Sequence, residues 1–101
     1  MKLLLITAVA EFAKEVKQIL KKTNVKAYSY KEVKGYRNAS EEAIESNWFG
    51  TEMNENDSVL FYAFVSSENV DSVCEAVKGF NAKQETQSRI HVAVLNIEKS
   101  N

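Results

Sequence analysis

Ser58-Val59-Leu60-Phe61-Tyr62-Ala63-Phe64-Val65 is the stretch on which the fold turns. Side chains alternate across an extended strand. Val59, Phe61, Ala63 and Val65 therefore share one side, and Leu60, Tyr62 and Phe64 share the other. Both sides are apolar. A strand of an antiparallel sheet with one wet face alternates apolar and polar residues. This strand does not, so it expects cover front and back.

Downstream, Ser66 or Ser67 can cap a helix. Val70, Val73, Cys74 and Val77 recur at i, i+3, i+4 and i+7, which predicts a helix to about Lys78 with Gly79 as its stop. Arg89 to Ile97 reads as a last strand. Upstream, Val25 to Lys34 reads as a strand with Tyr28 and Tyr30 on one side, broken by Gly35. Before it, Glu11 to Lys22 carries Phe12, Val16, Ile19 and Leu20 on one helical face, and Thr23-Asn24 ends it. Lys2 to Val9 is an apolar run of strand length. The order is β-α-β-β-α-β. That is the α+β, ferredoxin-like plan: a four-stranded antiparallel sheet with both helices on one face.

Two helices cover one face only. Leu60, Tyr62 and Phe64, with Leu4 and Ile6 or their neighbours Leu3 and Leu5, then need a second cover. A large exposed apolar patch marks an interface. The expectation is a closed symmetric oligomer of this chain. The alternative is a long loop folded back over the face.

Composition narrows the function. At 101 residues one domain, 1–101, is expected. With 45% hydrophobic and 27% charged residues, a disordered chain is excluded. Thirteen basic against 14 acidic residues argue against a dedicated nucleic-acid binder. Cys74 is the single cysteine, which rules out an internal disulfide and suits a reducing compartment. Leu3 to Ala10 imitates a signal peptide, but it is too short for one and far too short to span a bilayer. A cytoplasmic protein without direct membrane insertion is expected. Proline is absent, and Gly35, Gly50 and Gly79 are the only glycines, so no glycine-rich nucleotide loop exists.

A long arm, about residues 36–57, separates the second and third strands. Its acidic part, residues 38–57, holds Glu41, Glu42, Glu45, Glu52, Glu55 and Asp57 and no Lys or Arg. It carries −6 and the rest of the chain +5. Ser40 to Glu45 reads as a capped short helix. Trp48 and Phe49 follow it. Aromatic pairs of this kind either anchor a partner or pin the arm to the domain. Glu41, Glu42, Glu45, Trp48 and Phe49 are the candidate partner-binding residues.

These residues resemble the PII nitrogen-regulatory signalling family over most of the chain. Lys31-Glu32-Val33-Lys34-Gly35-Tyr36 is similar to the family's Ser-Glu-Val-Lys-Gly-Phe at the base of its T-loop. Asn69 to Val77 is similar to its second helix. Ser88-Arg89-Ile90-His91-Val92 resembles its Gly-Lys-Ile-Phe-Val. The resemblance implies a homotrimer with sheets facing inward. It also implies adenine nucleotides bound between subunits, and T-loops that dock onto a transporter, enzyme or regulator. It places an effector site around Gly35, Tyr36, Arg37, Lys83 and Arg89.

The chain also departs from the family. Ala82 to Ser88 holds no glycine where the family has Thr-Gly-x-x-Gly-Asp-Gly-Lys, whose glycines admit phosphate. The family's C-terminal Arg-x-Arg is missing. No tyrosine lies in 38–57 to accept a nucleotidyl group. The implied member is one in which ATP binding is weakened or lost.

Two further classes were weighed. A metal-responsive trimer, related to cation tolerance or efflux, would draw on Cys74, His91, Met1 and Met53. A zinc site needs three or four converging ligands, which the sequence does not display. An enzyme would need a nucleophile–base–acid set, and one histidine with no triad spacing offers none. The favoured reading is a non-catalytic regulator.

Overall fold

The computed structural model describes residues 1–36 and 55–101. Strand β1 (Lys2–Val9) leads through a 3-10 turn (Ala10–Phe12) into helix α1 (Ala13–Lys22). Strand β2 (Ser29–Tyr36), strand β3 (Glu55–Val65), helix α2 (Ser67–Ala82) and strand β4 (His91–Asn96) follow. The sheet order is β2-β3-β1-β4, with every neighbouring pair antiparallel. This is the ferredoxin-like arrangement expected.

Register explains which face is which. Leu4, Ile6 and Ala8 lie opposite Ala63, Phe61 and Val59, and all six are buried. They meet Val16, Ile19 and Leu20 of α1 and Val73 and Val77 of α2 in one core. Leu4 and Ile6 therefore belong to the helix side, and Leu3 and Leu5 to the other. Phe61 is 1% exposed at the centre, where truncation to alanine costs about 3–5 kcal/mol. Phe12 meets Phe80 edge-on at 5.1 Å and ties the start of α1 to the end of α2.

Several boundaries differ from the sequence reading. The helix expected from Glu11 opens as a 3-10 turn, and its α part begins at Ala13. Residues 25–28 precede β2 rather than form it. Gly35 does not break β2, because its backbone stays paired with Asn56 and the ladder runs on to Tyr36 and Glu55. β3 likewise starts three residues before Ser58. Gly79 does not stop α2. Phe80 and Asn81, just beyond it, pack against Phe12 and bond to Ile90, so tertiary contacts carry the helix past the glycine. β4 is shorter than expected at both ends.

Ser66 stands at the N-cap of α2, but its hydroxyl makes no capping bond to a backbone N–H, unlike the cap the sequence suggested. Ser66 Oγ donates to Asn69 Oδ1 at 2.6 Å, and the Asn69 N–H donates to the Ser66 carbonyl at 3.1 Å. α1 ends at Thr23, whose hydroxyl donates to the Ile19 carbonyl at 2.7 Å. Asn24 then takes a left-handed φ of 69°, the usual way for the chain to leave a helix. No described helix is long and apolar enough to cross a membrane.

Candidate functional site

The base of the arm is where β2 ends and β3 begins. Gly35 is buried there, while Tyr36 is 65% exposed beside it. One residue back, Lys34 and Asp57 face each other across the ladder, their charged atoms 2.5 Å apart and largely solvated. Ala10, Glu32, Val33, Lys34 and Asp57 line an open groove of about 420 Å³ at this place. Arg37 and the partner-binding candidates Glu41, Glu42, Glu45, Trp48 and Phe49 lie outside the described residues, as does Met53.

The other candidate cations sit elsewhere. Arg89 precedes β4, and its guanidinium donates to the carbonyls of Thr86 and Ser88, the latter at 2.9 Å. Arg89 thus closes its own loop. Lys83 caps the end of α2 and lines a groove between the two helices with Glu15, Lys22 and Glu75. β2 and β4 are the outer strands, with β3 and β1 between them. Three interstrand steps amount to about 14 Å. Within one chain, then, the structure does not gather Gly35, Tyr36, Lys83 and Arg89 into one pocket.

Asn81 is a residue that sequence reasoning missed. Its amide accepts from the Ile90 N–H at 2.8 Å and donates to the Ile90 carbonyl at 2.8 Å. It pins the start of β4 to the end of α2, so the glycine-free loop is held by side chains. An asparagine at the foot of a helix was the visible signal, but its partner nine residues on was not.

The sheet face away from the helices is apolar. Across it, Leu95, Leu3 and Phe64 form one row, and Ala93, Leu5 and Tyr62 the next. Phe64 is 60% exposed, Tyr62 and Leu95 each 42%. Among the described residues no helix lies over this face. In the next row stand His91, Thr7 and Leu60. The Thr7 hydroxyl is buried and has no hydrogen-bond partner among the described residues. Burial lowers the pKa of His91.

Cys74 is half-buried on α2, and burial, then Asp71 and Glu75, push its thiol pKa up. It lies on the helix side of the sheet, and His91 on the other. The two cannot share an ion, and among the described residues no group of three or more His, Cys, Asp or Glu converges.

No protein-family model matches the chain, and no curated protein does. Solved structures do. CPII, a nitrogen regulatory PII-like protein from Thiomonas intermedia K12 bound to ADP, AMP and bicarbonate, superposes with a TM-score of 0.64. The identity is 15%, over 99% of this chain and 94% of that one. The fold is PII-like. A DUF3240 family protein from Shewanella baltica OS155 superposes with a TM-score of 0.67 at 10% identity, over 99% and 92% of the two chains. The PII-like fold agrees with the topology that the sequence order implied. At these identities it is the fold that is shared.

Proposed function

We propose that this chain is a non-catalytic regulatory protein of the PII-like kind. It works as a homotrimer that senses a small effector between subunits and reports through its acidic 38–57 arm. The observation that carries this reading is the second sheet face. In a PII-like fold, Leu3, Leu5, Leu60, Tyr62, Phe64 and Leu95 form an apolar surface that water does not favour. Its burial against other copies gives a closed assembly.

Assembly also gives the divided candidate residues a way to meet. Gly35 and Tyr36 lie on one outer strand of the sheet and Arg89 beside the other. A single subunit holds them apart, whereas neighbouring subunits can set one edge beside the next. The effector then touches the base of the arm, biases its conformation, and acts only through its differential affinity for the two arm states. Glu41, Glu42, Glu45, Trp48 and Phe49 are the residues that meet a basic, apolar-edged surface on a transporter, enzyme or regulator.

Adenine nucleotides are the first effectors to test, because the PII-like relative holds ADP and AMP together with bicarbonate. Loop 82–88 lacks the glycines that let backbone N–H groups approach phosphate, and Arg89 is already engaged by two carbonyls. Nucleotide binding is therefore expected to be weak. Calorimetry with ADP, AMP and bicarbonate, singly and together, tests the sensor. Saturable heat that Arg89→Ala removes supports it. No heat from any of the three removes the sensing part of the proposal.

A further inference from the structure

A second surface lies on the helix side, away from the arm base and the apolar face. Lys14, Lys17, Lys21 and Lys26 line an open groove of about 630 Å³, with Gln18, Asn24, Val25 and Tyr28 between them. No carboxylate lines it. The acid of this helix, Glu15, faces the other way, into the groove shared with α2.

The lysines are arranged against their own interest. Lys14, Lys17 and Lys21 follow at i+3 and i+4 along α1, spacings at which like charges repel. Among the described residues, Lys34 and Asp57 form the ion pair, and none of the four groove lysines joins it. Lys17 leans on Tyr30, its Nζ 4.3 Å from the ring centre and 3.1 Å from the phenol oxygen to which it donates. Tyr30 is itself stacked on buried Phe61. One ammonium is thus held in place by packing, and the turn at Asn24 brings Lys26 beside the others.

We infer that this groove binds a small, multiply charged anion of the polyphosphate type. An anion there would relieve the repulsion that the helix otherwise carries. From Lys14 to Lys21 the row rises about 10 Å along α1. An anion that meets every lysine must therefore carry several charges along its length, as a short polyphosphate does. The row is too long for a single dicarboxylate to engage every lysine. Val25 and Tyr28 give the groove an apolar floor. The site is complete within one chain, so it does not depend on the regulatory reading or on assembly.

The test is calorimetry of the full chain with inorganic tripolyphosphate. Saturable one-to-one binding per chain is expected, weakening as salt rises. Lys14→Gln with Lys21→Gln is expected to lower affinity about five- to tenfold, two lost charge pairs in a solvated groove. Lys78→Gln with Lys99→Gln changes net charge equally at positions outside the groove, and is expected to lower affinity by no more than about twofold. Thermal unfolding confirms that both variants fold. Equal losses from the two double variants would overturn the site, because binding would then follow net charge alone. Equal affinity for succinate, or tighter binding of a single-stranded oligonucleotide, would overturn the ligand class.

Discussion

Asn81 joins two elements with one side chain, bonding both the N–H and the carbonyl of Ile90 at 2.8 Å. Removing it leaves a half-buried backbone pair without protein partners. Asn81→Ala is expected to cost about 1–3 kcal/mol, read as a lower urea midpoint with an unchanged slope. His91 makes stability depend on pH. Burial lowers its folded pKa below the ordinary value of 6.5. The unfolded chain therefore takes up the proton first as pH falls. Stability is full above that value and declines as pH drops from it toward the folded pKa. The chain has one histidine, so between pH 7.5 and 5.5 this residue dominates the change. Thermal melts at those two pH values should show a fall that His91→Gln reduces. An equal fall in the variant would contradict the assignment.

At the scale of elements, Gly79 separates pattern from packing. It sits exposed within α2, with open space where a Cβ would stand. Alanine there keeps every contact and restricts the unfolded chain. Gly79→Ala is expected to raise stability by about 0.5–1 kcal/mol in urea unfolding. The sequence reading took Gly35 and Gly79 as breaks because glycine is the commonest local stop. Both are overridden by partners the local pattern does not contain: Asn56 across the ladder from Gly35, and Phe12 and Ile90, which hold Phe80 and Asn81 just past Gly79. Element type and order were legible because the periodicity of β3, α1 and α2 is strong. Ends were not, because caps and ladders depend on partners the local pattern does not contain. The lysine row of α1 formed no part of the sequence reading, because only the fold shows that Lys26 joins it and that Glu15 turns away.

For the whole molecule, the two-sided apolar character of residues 58–65 carried the architecture. The structure confirms one half of that reading directly: Val59, Phe61, Ala63 and Val65 are buried under the helices. It leaves Tyr62, Phe64 and Leu95 exposed on the other side and resolves which leucines of β1 join them, Leu3 and Leu5. The candidate effector residues were less legible. Family resemblance grouped Gly35, Tyr36, Lys83 and Arg89, whereas strand order spreads them across the sheet and the helix layer. Distances between chain-remote residues are set by topology, which the local sequence pattern does not contain. Charge on the apolar face should break the proposed assembly without touching the core. Tyr62→Glu with Phe64→Glu is expected to yield a folded monomer by circular dichroism and light scattering.

The central claim is that wild-type subunits close their bare faces against one another. Sedimentation equilibrium at micromolar concentration measures this directly. The account predicts a single species of about three times the 11.4 kDa chain mass. A folded species of 11.4 kDa that persists as concentration rises would contradict it.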